Sequence, residues 1–129
     1  MAAPDVVLLA TEWRSRALIR AQLIEEGFDV VATNSWPMMR RHLRPGSKPR
    51  LALVDLKGLP NPHEALEGLR VLMKPDRVLV LTAIGTASPE DVRALGFRAV
   101  ARPVAIRDVV GAAAAALREI QPSAAPPQS

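Results

Sequence analysis

The sequence contains no cysteine and no tyrosine, and only two tryptophans and two phenylalanines among its 129 residues. Without cysteine, the chain can form neither disulfide bonds nor metal sites built on thiolates. No apolar run approaches the roughly 18 residues that a membrane-spanning helix needs. Met1–Pro4 is too short and uncharged to be a signal peptide. We therefore expect one cytoplasmic domain with an ordinary hydrophobic core and no contact with a membrane.

The chain carries a net charge of +4, from 17 basic and 13 acidic residues. Much of the basic excess lies in the segment Met39–Arg50, which contains Arg40, Arg41, Arg44, Lys48 and Arg50. A basic patch of this kind attracts nucleic acid or acidic proteins. Because few aromatic side chains are available to stack on bases, we favour a solvated basic face over a nucleic-acid surface.

Short apolar runs alternate with helical segments along the chain. The runs typical of buried strands are Val6–Ala10, Phe28–Ala32, Leu51–Asp55, Arg77–Thr82 and, more weakly, Arg98–Ala101. The predicted helices run from Thr11 or Glu12 to Glu26, from Asn34 or Ser35 to just before Arg44, over His63–Leu72, from Ser88 to Gly96 and over Ile106–Ile120. This alternation predicts a doubly wound α/β fold, with a five-stranded parallel sheet covered by helices on both faces.

Two further expectations concern the first helix and the end of the chain. In the first helix, Leu18, Ala21 and Ile24 are expected to form the stripe that faces the core. From Gln121 to Ser129 the sequence consists of Pro, Ser, Ala and Gln, which is typical of a disordered tail or a linker. We therefore place the domain at residues 1–120.

Polar residues follow three of the predicted strands at the point where each strand ends. Asp55 closes the third strand, Thr82 closes the fourth, and Thr11 and Glu12 follow the first. In open α/β sheets the carboxyl ends of parallel strands form the edge at which ligands bind. We therefore expect a site, or the remnant of one, around Asp55.

The motifs resemble the receiver domain of two-component response regulators, the CheY-like domains. The resemblance spans roughly residues 6–120 and rests on Val6-Val7-Leu8-Leu9, Leu53-Val54-Asp55, Leu81-Thr82-Ala83 and Arg102-Pro103. It implies the strand order 2-1-3-4-5 and a role in signal transduction through a phosphorelay.

The resemblance also implies which residues would form the phosphorylation pocket. In that family, two acids after the first strand and a phosphoacceptor Asp hold Mg²⁺, a Thr or Ser binds the phosphoryl group, and a Lys neutralises it. Asp55 and Thr82 stand at the phosphoacceptor and hydroxyl positions, and Lys57 at the position whose backbone carbonyl is a metal ligand. Ala10 and Thr11, however, stand where the two acids belong, and Arg102-Pro103 replaces the Lys-Pro pair.

These replacements have physical consequences that do not depend on the family. Mg²⁺ is held by oxygen ligands and needs the negative charge of carboxylates to stay bound. Asp55 provides only one carboxylate. Phosphoryl transfer depends on charge neutralisation by the metal, so we expect no metal, no cofactor and no catalysis here. Arg102 is expected to pair with both oxygens of Asp55, and the bond before Pro103 to be cis. Trp13 is expected to fill the space left by the missing acids, the alternative being an exposed contact for a partner.

The sequence is therefore interpreted as a degenerate receiver, or pseudo-receiver, that acts by binding proteins. The expected partner is another signalling protein, an attached output domain or a second copy of the chain. In the family, partners usually bind the surface formed by the fourth helix, the fifth strand and the fifth helix. In this chain the corresponding residues would be Asp91, Arg93, Arg98 and Arg107.

Two alternatives remain open at this point. The first is an orthodox phosphoacceptor that uses Asp55, with Glu12 as a substitute Mg²⁺ ligand, and it requires Mg²⁺-dependent labelling by a small phosphodonor. The second is nucleic-acid binding through Met39–Arg50, which we consider unlikely, and it requires an affinity that falls steeply with salt.

Overall fold

The computed structural model describes residues 3–120, and the predicted tail or linker at 121–129 lies outside them. Strands and helices alternate throughout this part of the chain. In order, the elements are β1 (Val6–Leu9), α1 (Trp13–Glu25), β2 (Val30–Thr33), α2 (Trp36–Arg40), β3 (Leu51–Asp55), α3 (Pro62–Leu72), a 3₁₀ turn (Pro75–Arg77), β4 (Val78–Thr82), α4 (Pro89–Ala94), β5 (Arg98–Ala101) and α5 (Ile106–Glu119). None of the helices in residues 3–120 is both long enough and apolar enough to cross a membrane.

The five strands form one parallel sheet in the order β2-β1-β3-β4-β5, as the sequence predicted. Leu9 pairs with Val54, and Asp55 pairs with Leu81. This register brings the carboxyl ends of β1, β3 and β4 to the same edge of the sheet. The edge is therefore the place where the polar residues that follow these strands meet.

The core has two halves, one on each face of the sheet. Val7, Val54 and Val80 point into a cluster completed by residues of α2, α3 and α4. Their sequence neighbours Leu8, Leu53 and Leu81 point into a second cluster completed by α1 and α5. Because β1, β3 and β4 are buried on both faces, their sequences are continuous apolar runs rather than alternating ones.

The stripe predicted for α1 was wrong. Ile19 and Leu23 are the buried residues of this helix, whereas Leu18 and Ile24 are each more than two-fifths exposed and Ala21 faces solvent. Leu18 precedes the buried pair by one residue and Ile24 follows it by one. One residue corresponds to a rotation of about 100° around the helix, so both side chains lie beside the buried stripe rather than in it.

Two of the predicted helix starts are confirmed at atomic level. The Ser35 hydroxyl oxygen accepts a hydrogen bond from the backbone N–H of Met38, and the Ser88 hydroxyl oxygen accepts one from that of Asp91. Each bond satisfies a backbone donor that the first turn of a helix leaves unpaired. These caps fix where α2 and α4 begin after their loops.

Arg50, which belongs to the basic segment, has a structural role at the amino edge of the sheet. Its guanidinium donates to the backbone carbonyl of Leu117 at 2.8 Å and pairs with Asp5 at 3.3 Å. These contacts join the start of β3 to the end of α5 and to the residue before β1. Arg50 is therefore not part of a free basic surface.

Two helical glycines lie in opposite environments. Gly68 in α3 lies against the indole of Trp36, and a Cβ atom at this position would collide with the ring and lie 2.8 Å from Trp36 Cη2. Gly111 in α5 has nothing within 4 Å of the corresponding point. Replacing glycine by alanine therefore tests packing at Gly68 and helix propensity at Gly111.

We expect Gly68→Ala to lower the free energy of unfolding by about 1–3 kcal/mol, because overpacking outweighs the gain in helix propensity. We expect Gly111→Ala to raise it by about 0.5–1 kcal/mol, because alanine restricts the unfolded chain and meets no obstacle. Urea denaturation followed by circular dichroism measures both changes. Effects of the same sign would contradict the packing of Trp36 on Gly68.

Candidate functional site

The candidate site lies at the carboxyl edge of the sheet, where β1, β3 and β4 end. Asp55 and Thr82 are the last residues of β3 and β4, and each is only 2% exposed. Ala10 follows β1 and is fully buried. The structure thus brings together the positions that the sequence predicted to converge, around a single buried carboxylate.

Both carboxylate oxygens of Asp55 are paired with Arg102. Arg102 Nε donates to Asp55 Oδ1 at 3.3 Å, and Arg102 Nη2 donates to Asp55 Oδ2. The Asp55 side chain is 3% exposed and that of Arg102 is 20% exposed, so the pair is largely screened from water. The bidentate pair expected from the sequence is therefore formed, and its planar geometry is the one that a guanidinium favours.

Backbone contacts hold the two partners in place. The backbone N–H of Lys57 donates to Asp55 Oδ1 at 3.0 Å, which gives this oxygen a second donor. The backbone N–H of Arg102 donates to the carbonyl of Thr82 at 3.1 Å, just beyond the last paired residues of β4 and β5. The peptide bond between Arg102 and Pro103 is cis, as predicted. Arg102 is thus positioned by the sheet edge itself.

The Thr11 side chain occupies the other half of the pocket. Its hydroxyl donates a hydrogen bond to the backbone carbonyl of Lys57 at 2.9 Å. The approach is so close that a Cβ atom at Gly58 would collide with the Thr11 hydroxyl, and Gly58 itself has a φ of +79°, which favours glycine. The carbonyl that the resemblance identifies as a metal ligand therefore already accepts a hydrogen bond from Thr11.

A second arginine stabilises the turn between β1 and α1. Arg16 Nη1 donates to the carbonyl of Ala10 at 2.8 Å and to that of Thr11 at 3.3 Å. Sequence analysis did not identify this role. Arg16 therefore contacts the carbonyl oxygens of Ala10 and Thr11, the two residues that stand where the resemblance expects acids.

Glu12 caps α1. One of its carboxylate oxygens accepts hydrogen bonds from the Ser15 hydroxyl and from the Ser15 backbone N–H, the latter at 3.1 Å. The Ser15 hydroxyl, followed by the Ser15 backbone N–H, lowers the pKa of Glu12 below its ordinary value, and the charges of Lys57 and Arg102 add to this effect. The side chain is fully exposed. Its hydrogen bonds are therefore those of a helix cap, with no bond to Asp55.

The residues present do not fit the Mg²⁺ ion that the resemblance implies. The ion needs several oxygen ligands and carboxylate charge. Here the one buried carboxylate is paired with Arg102, the loop carbonyl accepts the Thr11 hydroxyl, and Ala10 offers no ligand. Across residues 3–120, no three His, Asp or Glu side chains are grouped so that they could hold a metal.

Trp13 does not fill the pocket. It is 65% exposed, and the guanidinium of Arg14 lies 5.6 Å from the centroid of its ring. The expectation that it replaces the missing acids was therefore wrong. Glu12 is the cap of α1, so Trp13 is the first residue of the helix, and the pocket is already occupied by Thr11 and Arg102.

The four residues expected at a partner surface do not form one patch. Asp91 and Arg93 lie in α4, and Arg93 donates to the carbonyl of Ala99 in β5. Arg98 donates to the carbonyl of Asp76 and pairs with Glu119 of α5 at 2.9 Å. Asp91, by contrast, lines a groove between α3 and α4, and Arg107 lines another between α1 and α5. The structure thus links Arg93 and Arg98 through β5 and places Asp91 and Arg107 in other grooves.

No protein-family model matches the chain, and no curated protein is similar enough to match. Solved structures do match. A signal receiver domain from Vibrio parahaemolyticus is 20% identical with a TM-score of 0.73, over 91% of this chain and 92% of that one. A CheY-like receiver domain from Methanospirillum hungatei is 21% identical with a TM-score of 0.71, over 92% of this chain and 96% of that one. The chain has the receiver fold.

A longer protein also matches. NtrX from Brucella abortus covers 91% of this chain with 27% of its own length, at 19% identity and a TM-score of 0.71.

Within this receiver fold, the cap of α1 can be tested by titration. Because the pKa of Glu12 is lowered in the folded state, its capping bonds stabilise the protein above the ordinary Glu pKa, and this contribution is lost as the pH falls through the lowered value. We expect the Glu12 carboxyl to titrate below the ordinary range of a glutamate in an NMR titration. Ser15→Ala should raise the pKa of Glu12 toward that range. An unchanged Glu12 pKa would show that Ser15 is not the cause.

Proposed function

We propose that this chain is a pseudo-receiver, a domain of receiver fold that acts in signal transduction by binding proteins and has no Mg²⁺-dependent phosphorylation cycle. The observation that carries the proposal is the bidentate ion pair between Asp55 and Arg102 at the carboxyl edge of the sheet. It occupies the carboxylate that an orthodox receiver would phosphorylate.

The chemistry of phosphoryl transfer supports this assignment. The attacking oxygen has to be free, and the charge that develops on the phosphoryl group has to be neutralised, chiefly by a metal ion. Asp55 Oδ1 already accepts hydrogen bonds from Arg102 and from the Lys57 backbone, and Oδ2 is paired with Arg102. Arg102 is permanently charged and cannot leave its partner by losing a proton. The ion pair therefore opposes phosphorylation of Asp55, which supports the proposal.

The orthodox alternative required Glu12 as a substitute metal ligand. The Glu12 carboxylate is engaged by Ser15 at the start of α1, and the Lys57 carbonyl accepts the Thr11 hydroxyl. A metal at this edge would have to displace Arg102 from Asp55, and it would compete with the contacts that Glu12 and the Lys57 carbonyl already make. These contacts support the pseudo-receiver over the orthodox phosphoacceptor.

We propose that partners bind the surface that α4, β5 and the adjoining side of α5 form around Arg93 and Arg98. Two hydrogen-bonded links, Arg93 to Ala99 and Arg98 to Glu119, tie its three elements together. The occupant is a signalling protein, a second copy or an output domain in the same protein. The last arrangement is supported by NtrX, because the segment of NtrX that matches this domain is only 27% of the NtrX chain.

The absence of a metal-dependent cycle can be tested through Trp13. We expect its fluorescence to show no saturable response to Mg²⁺, and acetyl phosphate to add no phosphoryl group to the protein by mass spectrometry. The matched control is the variant Ala10→Asp/Thr11→Asp/Arg102→Lys, which restores the acids and the lysine. It should gain a saturable Mg²⁺ response. Saturable binding and labelling of the unmodified chain, both lost in Asp55→Asn, would overturn the proposal.

The location of the partner surface can be tested by photo-cross-linking in cells of the source organism. We expect a photoreactive side chain at position 93 to capture a defined protein, because this position is exposed on α4 beside β5. The same group at position 107, which is also exposed but lies in the groove between α1 and α5, should not capture it. Capture from position 107 alone would move the interface to that groove.

A further inference from the structure

A second surface lies where α2 ends, at the opposite edge of the sheet from β5. Here Arg40, Arg41 and Arg44 surround a groove of roughly 380 Å³, which we call the basic groove. Its remaining walls are the apolar residues Leu43, Pro45 and Leu72. The groove lies between the turn that follows α2 and the last residue of α3.

The backbone of the basic groove is fixed by the core. Leu43 is 1% exposed and belongs to the same buried cluster as Met39, so the turn after α2 is anchored from inside. The N–H of Leu43 donates to the carbonyl of Arg40 at 3.1 Å, which continues the helical turn past the end of α2. Anchoring Met39 and Leu43 in the core leaves the intervening Arg40 and Arg41, and Arg44 beyond them, exposed.

The three arginines have no acidic partner within residues 3–120. The ion pairs of this part of the chain join Asp5, Glu67, Asp55 and Glu119 to other arginines. Lys48 and Lys74, which are also exposed, add further positive charge to the segments that flank the groove. In contrast to Arg50, which has Asp5 and the Leu117 carbonyl, the arginines of the groove have no carboxylate of residues 3–120 to neutralise them.

The combination of charge and shape indicates what would fit. Guanidinium groups bind carboxylates through two parallel hydrogen bonds and are always charged. A concave apolar floor accommodates an apolar side chain, whose burial adds affinity that charge alone does not supply. Val71, which precedes Leu72, is 77% exposed and extends the apolar surface at the end of α3.

We propose that the basic groove binds an acidic segment of another protein, with its carboxylates on Arg40, Arg41 and Arg44 and one apolar side chain on the accessible surface of Pro45 and Leu72. This goes beyond the proposed function, because it assigns a second surface and the chemistry of its partner. It does not depend on the state of Asp55. Nucleic acid is disfavoured because no aromatic side chain lines the groove on which a base could stack.

The test uses a fluorescein-labelled peptide in which Glu and Asp flank one Leu, and fluorescence anisotropy as the readout. We expect the full chain to bind it and the variant Arg40→Gln/Arg41→Gln/Arg44→Gln to bind at least tenfold more weakly. The control variant Arg14→Gln/Arg20→Gln/Arg118→Gln loses the same charge from exposed positions elsewhere and should retain binding. Circular dichroism spectra of both variants check that the fold is kept.

Two further probes separate the contributions. Replacing the Leu of the peptide by Ser should weaken binding on the order of tenfold, the loss expected when a leucine side chain is no longer buried. A peptide with Gln and Asn in place of the acids should not bind. Equal losses in the two triple variants would mean that only net charge matters, and would overturn the proposal.

A single-stranded oligonucleotide provides a further control. If it binds more tightly than the acidic peptide, and if the Arg40→Gln/Arg41→Gln/Arg44→Gln variant loses this binding, the groove is a nucleic-acid surface and the proposal is overturned. These outcomes are distinguishable from failure of the pseudo-receiver proposal. Phosphorylation of Asp55 would overturn the pseudo-receiver proposal and leave the anisotropy results unchanged, because the basic groove and the Asp55 site share no residue.

Discussion

A buried carboxylate needs a compensating charge, and in this domain that requirement is met by Arg102. The side chain of Asp55 is 3% exposed, at the end of a strand that is buried along its whole length. Removing a charge from water without a partner is so unfavourable that the surroundings have to supply one. Arg102 does so from the end of β5. The pair thereby couples two strands that are not neighbours, since β4 lies between β3 and β5.

The other features of the pocket are consistent with this one pair. Metal ions and guanidinium groups compete for the same carboxylate oxygens. With Arg102 bound to Asp55, further acids after β1 would have no metal ion to hold. Ala10 and Thr11 stand there instead, and the Thr11 hydroxyl satisfies the carbonyl of Lys57. Arg16 donates to the carbonyls of the same turn. The polar groups of Asp55, Thr11 and Arg16 thus have partners within the chain.

The alternation of strands and helices could be predicted from the sequence because it depends on local signals, whereas the central pair followed from the strand order that the resemblance implied. Buried parallel strands are continuous apolar runs, and Ser35 and Ser88 mark helix starts by bonds within three residues. Once the strand order is known, Asp55 and Arg102 have to meet at one edge. Three features could not be predicted in this way: the direction of Trp13, the buried face of α1 and the side of α5 on which Arg107 lies. They depend on rotations of about 100° around a helix axis, which pattern alone does not fix when flanking residues are also apolar.

If the ion pair between Asp55 and Arg102 keeps the pocket closed, as proposed, the functional question moves from the edge of the sheet to the outer surfaces. Binding at the surface around Arg93 and Arg98 would then be governed by the presence of the partner alone. The basic groove lies near β2, at the opposite edge of the sheet from β5, and it shares no residue with that surface. Two separate surfaces on one rigid sheet would allow the domain to hold two proteins at once, which is a role that requires a stable fold and no chemical cycle.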